Sequence, residues 1–316
     1  MSLYPKAVLE YLAVAGVPRS KNSNIFVVDG TNGVDTNPGD RWNAPLKTVS
    51  AALAKCTSGQ NDTILVISAT TAVNETAAIT WNKNLTHLVG MGAPNGIAGR
   101  TRIVCNATVL SPFIAISGYG CIFKNLYIWQ GQDDVHSLIN VSVTGDRNYF
   151  EDVHFAGGGH ATQAIDGGAS LKLDGGDENR FVRCTVGVDT VAAATGMTNL
   201  QFDSLAARNT FEDCRFLLYA GHAGAMHVEV VDNAGLDRWN EFLRCRFIQS
   251  CRTYSLTSAF GIPASMTSVT NYLLLHDCAA VGSADWDASD RGVLYLNNGT
   301  ITGGGNSGLF VVAAAT

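Results

Sequence analysis

Charge is scarce in this sequence: 15% of its 316 residues are charged and the net charge is -6. The 21 lysines and arginines are scattered singly, so no basic stretch marks a nucleic-acid partner. Apolar runs are short, and none approaches the roughly 18 residues of a membrane-spanning helix. The opening Met1-Ser-Leu-Tyr-Pro-Lys6 lacks the order of a secretion signal. These absences lead to the expectation of a soluble protein made in a cytoplasm, with neither nucleic acid nor membrane among its partners. Tryptophan is also sparse. Trp42, Trp81, Trp129, Trp239 and Trp286 are spread out, which counts against an aromatic platform for sugar.

Cysteines are present but no Cys-x-x-Cys pair is. The closest two, Cys245 and Cys251, have poor spacing for a metal. The histidines are dispersed and form no ligand pattern. No cofactor and no metal are expected, and the thiols should be free and buried.

What the chain does have is a repeat. Phe-x-x-Cys-x-Phe, with Asn two residues ahead, recurs at 179–186, 209–216 and 240–247, and looser copies lie at 121–128, 148–155 and around 275–280. The anchors Phe123, Phe150, Phe181, Phe211, Phe242 and Leu275 are 27, 31, 30, 31 and 33 residues apart. A near-constant period of this size marks stacked repeats. Strings such as Leu171-Lys-Leu173, Met226-His-Val228-Glu-Val230 and Leu138-Ile-Asn-Val141-Ser-Val143 alternate with period two, as strands do. Glycines, 33 in all, cluster between the strings and mark turns. One helix is expected at residues 45–56, where Leu46, Val49, Ala52 and Leu53 fall at helical spacing and Pro45 suits a first turn.

Several strands per repeat predict a parallel β-helix, with each residue above its counterpart one coil earlier at about 4.8 Å. Three apolar columns follow. One is Phe123, Phe150, Phe181, Phe211, Phe242 and Leu275. The second is Leu126, Val153, Cys184, Cys214, Cys245 and Cys278. The third is Ile128, Phe155, Val186, Phe216, Phe247 and Ala280. Phe211 and Phe216 are five apart, so simple alternation cannot bury both, and a bend at Glu212-Asp213 is required. The residue before the second column reads Asn125, Asp152, Arg183, Asp213, Arg244, Asp277. Its sign alternates from Asp152 onward, which suits in-register stacking on a solvent face. Exposed pairs of this kind contribute under about 1 kcal/mol each.

Residues 26–53 and 61–66 resemble the entry of pectin-lyase-like β-helix proteins. Gly33, Asp35, Asn37, Pro38, Gly39, Pro45, Lys47, Thr48, Asp62, Thr63 and Ile64 match that pattern, and Asn61 stands where glycine is usual. The helix there would cover the open end of the coil stack. The expected architecture is all-β: a right-handed single-stranded parallel β-helix with a short N-terminal helical cap. Residues 1–24 form an N-terminal arm, 25–70 the capping strand and helix, and 71–316 the coils, with the apolar residues 308–316 closing a last coil or pairing with a neighbouring subunit.

The resemblance is specific for fold and nearly silent on chemistry, because the superfamily holds polysaccharide lyases, glycoside hydrolases, phage tailspikes and phage structural proteins. Carboxylate clusters exist, but most sit at turns. Asp133, Asp134, Asp174 and Asp177 are the candidates if the chain is an enzyme. The expectation is nevertheless that it is not one. The low charge and the Ala, Gly, Thr, Val and Asn-rich composition resemble phage particle proteins. That likeness implies a structural component of a tailed-phage virion, a capsid decoration protein or a head or tail fibre, assembled in the host cytoplasm. It also implies a homotrimer whose other partners are capsid or tail proteins. The alternative is a tailspike depolymerase that cleaves or binds a surface polysaccharide, although only about 24 residues precede the cap. A secreted polysaccharide lyase is disfavoured by the missing signal.

Overall fold

A computed structural model describes residues 6–67, 71–92, 99–264, 266, 271–287 and 294–296. Its strands pair in parallel and wind as coils, each coil contributing to three faces. The first face includes Asp62–Val66, Thr86–Gly90, Thr210–Glu212, Trp239–Leu243 and Tyr272–His276. The second includes Thr101–Cys105, Arg215–Ala220 and Arg246–Gln249. Ile122–Trp129 and Tyr149–Ala156 run through both faces as single bent strands. The third comprises Ile79–Trp81, Ile114–Ile116, Ile139–Val143, Ala169–Asp174, Thr198–Asp203, Met226–Val230 and Phe260–Gly261.

The columns fall in register. Phe123, Phe150, Phe181, Phe211, Phe242 and Leu275 are successive partners, as are Ile128, Phe155, Val186, Phe216, Phe247 and Ala280. The five rings from Phe123 to Phe242 stack with centroids 4.5–5.0 Å apart. Cys184, Cys214, Cys245 and Cys278 lie between the two columns and are buried. Each donates its thiol to the carbonyl of the phenylalanine one coil back, Phe150, Phe181, Phe211 and Phe242, at 3.3–3.6 Å. All eight cysteines are free; seven are buried and Cys251 is half-buried.

The first corner is one residue wide. Asn125, Asp152, Arg183, Asp213, Arg244 and Asp277 all adopt left-handed backbone, with φ between 51 and 56°. That single residue resets the alternation, so Phe211 and Phe216 both point inward. Arginine is a poor residue for this conformation. Its amide still continues the ladder, Arg183 N–H to Glu212 O at 2.8 Å and Arg244 N–H to His276 O at 2.7 Å. The guanidiniums of Arg183 and Arg244 fork onto Asp152 and Asp213 of the coil before.

The second corner explains the asparagine of the repeat. Asn148, Asn179, Asn209 and Asn240 are buried one above another. Each side-chain oxygen accepts the backbone N–H of the preceding coil at 2.8–3.1 Å. Each side-chain amide also donates to a backbone carbonyl or the next asparagine. The ladder satisfies corner amides that no strand reaches.

The cap uses the motif residues directly. Helix α1 (Lys6–Val14) lies on the outer face of the first coils, where Leu12, Val17, Ile25, Leu65 and Val89 form a small core and Tyr11 donates to Gly90 O at 3.1 Å. Helix α2 (Val49–Lys55) closes the end of the main core with Val49, Ala52 and Leu53. It starts four residues later than expected, because Thr48 is its N-cap and accepts from Ala51 N at 3.1 Å. Asp35 takes the amides of Lys47 and Thr48 at 2.8 and 2.9 Å. Buried Glu75 takes Val49 N at 2.6 Å, and Lys83 donates to the carbonyls of Leu53, Ala54 and Cys56 at the other end. Both charges oppose the helix dipole correctly. Gly33 passes so close to Leu46 O that a Cβ would fall 2.1 Å from it. Asn61, in the place of the usual glycine, has φ 57°, a conformation asparagine tolerates. The expected closing segment, 308–316, lies outside the described residues.

Candidate functional site

The third face presents its outward side chains in rows. The row nearest the strand starts, Asn140, Ser170, Asn199 and His227, is buried. The next is Ser142, Lys172, Gln201 and Glu229, in register. Beyond it Asp174 pairs with Asp203. Lys172 reaches Asp203 at 2.8 Å and Asp174 at 3.7 Å. Ser204 N–H donates to Asp203 at 2.7 Å, and Ser204 Oγ donates to Asp174 at 2.8 Å. Gln201 Nε2 donates to Glu229 at 2.9 Å.

These contacts drive two neighbouring carboxyls in opposite directions. Burial raises the pKa of Glu229, and the nearby charges of Asp166 and Asp203 add to the rise. Burial would also raise that of Asp203, but Lys172 and Ser204 outweigh it and hold it below its ordinary value. Lys172 is kept firmly protonated: desolvation opposes its charge, and Asp203 and Asp174 more than compensate. Asp203 sits two residues along from the partner of Glu229, so strand geometry puts the two Cα atoms about 8 Å apart. Carboxyls with diverging pKa values are the usual basis of acid and base assignments.

The sequence candidates do not assemble. Asp133 and Asp134 lie in the loop before Ile139–Val143, at the start of the third face. Asp134 is tied up by Ser137 Oγ at 2.7 Å, by Val109 N–H and by His136, and these bonds hold its carboxyl well below the usual range. Asp133 is exposed, 3.5 Å from His160. Asp174 and Asp177 lie at the other end, about 17 Å away for a five-residue strand. Asp177 is a corner residue that accepts from Ala207 N and Arg208. Only Asp174 joins the carboxyl group around Lys172. Glu229 and Asp203 are absent from the sequence candidates because each stands alone in its own coil. Among the described residues, no group of three His, Cys, Asp or Glu is placed to hold a metal.

The fold is a right-handed parallel β-helix, and this carboxyl group lies on its third face. No protein-family model matches the chain, and no curated protein is similar to it in sequence. Solved structures share its shape at low identity. Rhamnogalacturonan lyase superposes with TM-score 0.60 and 14% identity over 87% of this chain and 73% of its own. Pectin methylesterase PemA from Erwinia chrysanthemi gives 0.56 and 14% over 92% and 93%. Pectate lyase Pel9A gives 0.56 and 16% over 94% and 74%. These are enzymes, and they correct the expectation that the chain is not one. The acid clusters that the sequence shows sit mostly at turns, which is why they point to no catalytic group. In a stacked fold, groups from separate coils meet on one face without forming any sequence motif.

Proposed function

We propose that the chain is a polysaccharide depolymerase of hydrolytic type, with Glu229 as general acid and Asp203 as the carboxylate that activates water. The observation that carries this reading is geometric: Glu229 and Asp203 stand on adjacent strands of one face, held by Gln201 at 2.9 Å and Lys172 at 2.8 Å, with burial raising the first carboxyl while Lys172 and Ser204 hold the second down. Glu229 protonates the glycosidic oxygen as the C–O bond breaks. Asp203 takes a proton from the water that attacks the anomeric carbon. Gln201 orients Glu229, and Lys172 keeps Asp203 ionised. Lys172, being protonated, is unsuited to act as the base of an elimination. On capsular and pectic polysaccharides we expect new reducing ends without unsaturated uronates. E229Q and D203N should each lower the rate by about 10²–10⁴-fold. Unsaturated products, or full activity in both variants, overturn the assignment.

The setting we infer is a phage tailspike, which rests on the composition. In that setting the chain is a homotrimer on a virion, attached to capsid or tail proteins. Light scattering at micromolar concentration should then read three times the 33.4 kDa of the chain; a monomer removes the trimer.

A further inference from the structure

Arginines on the first face and at the corners are matched by acids. Arg147 meets Glu178, Arg180 meets Glu212, Arg183 meets Asp152, Arg208 meets Asp177 and Arg244 meets Asp213, all at 2.5–3.2 Å. The outward row of the second face breaks this rule. It runs Arg102, Tyr127, His154, Thr185, Arg215, Arg246 in register, with the three arginines exposed, Tyr127 half-buried, and His154 and Thr185 covered. Arg100 lies beside its start, with the guanidinium 4.1 Å from the centroid of Tyr127. Among the described residues, Arg100, Arg102 and Arg215 make no ion pair, and Arg246 donates only to the carbonyls of Cys245 and Asp277. Two acids bear on this patch: Asp189 acts on His154 together with Arg100 and Arg215, and Asp213 feels Arg246.

Such a row costs stability. Arg215 and Arg246 are direct neighbours on adjacent strands, and like charges so placed repel. No carboxylate forms an ion pair with either guanidinium among the described residues, although the chain as a whole carries -6. From Arg102 to Arg215 is four coil steps, about 19 Å along the axis. Two rings stand in this strip. Tyr127 and Trp129 have centroids 6.1 Å apart and planes within 11°. The half-buried indole of Trp129 rests on Gly131 and Gly159, where a Cβ would fall 2.6 Å from the ring. Guanidiniums bind carboxylate, sulfate and phosphate in paired hydrogen bonds, and flat aromatic side chains offer a large apolar contact beside them.

We propose that the outward second face is a binding strip for an acidic polysaccharide, whose anionic groups bridge Arg102, Arg215 and Arg246 while its sugar rings pack on Trp129 and Tyr127. The strip lies on a different face from Glu229 and Asp203, so it goes beyond the depolymerase reading and stands whether or not the chain cuts sugar. An extended row favours a polymer over a small anion.

Calorimetric titration of the full chain tests this. The probes are oligogalacturonates for carboxylate, heparin oligosaccharides for sulfate, dextran as the neutral control and oligo(dT) for phosphate on a nucleic acid. At least one acidic glycan should bind more tightly than dextran and oligo(dT), and added salt should weaken it. The double variant R102A/R215A should bind it at least 10-fold more weakly. R246A, if the double variant loses its circular dichroism spectrum, should show the same loss to a smaller degree. R147A, whose guanidinium pairs with Glu178 outside the strip, should bind like the unmodified chain, which separates the strip from the loss of any one arginine. Binding no tighter than dextran, tighter binding of oligo(dT), unchanged affinity in R102A/R215A and R246A, or an equal loss in R147A each overturns the proposal.

Discussion

Replacing Phe211 with Ala should destabilise the protein by about 3–5 kcal/mol. The ring is fully buried. It stacks on Phe181 at 4.5 Å and on Phe242 at 5.0 Å, and Phe216 and Phe202 meet it obliquely at 5.9 and 6.4 Å. Truncation removes the ring's transfer energy and leaves a cavity that the neighbouring coils cannot close, because backbone hydrogen bonds fix their spacing. The effect should also have a direction. In a stacked architecture each coil is stabilised mainly by its neighbours, so a gap at Phe211 weakens coupling between the coils on either side. Urea unfolding followed by circular dichroism should shift to a lower midpoint. Amide exchange should accelerate most in the strands around residues 181, 211 and 242. Thr210→Ala, on the neighbouring half-buried outward position, serves as the surface control and should change stability by no more than about 0.5 kcal/mol. A near-neutral Phe211→Ala would mean that the aromatic column is not the core.

That column is also where the sequence was most informative. A period near 30 and an aromatic anchor are enough to align the coils, and alignment fixes register because equivalent residues stack. Phe150, Phe181, Phe211 and Phe242 could therefore be paired from spacing alone, and so could the four cysteines between them. The bend was required by the five-residue gap between Phe211 and Phe216, but its nature was hidden. Left-handed backbone is usually signalled by Gly or Asn, and here Arg183 and Arg244 adopt it because stacking and a carboxylate one coil back hold them there. The asparagine before each anchor was visible as a pattern. Its work, capping amides of the preceding coil, belongs to three-dimensional contact and leaves no local signal. The start of α2 was misplaced for a related reason: Pro45 looks like a first turn, whereas Thr48 and Asp35 decide where the amides need acceptors.

The site was far less legible. Turn-borne acids such as Asp133 and Asp134 attract notice because they are adjacent in sequence, and their proximity is explained by loop hydrogen bonds. Glu229 and Asp203 are 26 residues apart and become neighbours only through coil stacking. A usable signal did exist. Leu171-Lys-Leu173 and Val228-Glu-Val230 each place a charged residue between two core residues, which must point outward. Aligning those strings as the phenylalanines were aligned puts Lys172, Gln201 and Glu229 in one row. The arginines of the second face were hidden in the same way, scattered along the chain and gathered by the fold.

Acidification should destabilise the protein before its depressed carboxylates are titrated. His87, His154 and His227 are buried. Burial pushes their pKa values down, to about 4 for His87 and His154 and to about 3 for His227. Each ring is held as a neutral imidazole. His87 Nδ1 accepts from Ile122 N at 3.1 Å, His154 Nε2 donates to Gly187 O at 2.8 Å, and His227 Nδ1 meets Asn199 Nδ2 at 3.1 Å. In the unfolded chain the same side chains titrate near 6.5. The unfolded state therefore binds more protons below that pH, and stability falls as pH drops. The loss begins near pH 6.5 and runs to about 4 for His87 and His154 and about 3 for His227. At pH 5 each histidine lies 1.5 pH units below its unfolded pKa, which costs about 2 kcal/mol each and about 6 kcal/mol for the three. That is a large part of the 5–15 kcal/mol typical of a folded domain. Depressed carboxylates such as Asp203 and Asp213 add their loss only below about pH 4, so the two phases are separable. Urea midpoints at pH 7, 6 and 5 should fall steadily, and changing His227 to Asn should remove about one proton from the slope. Equal midpoints at pH 7 and 5 would show that these histidines are not held neutral inside the β-helix.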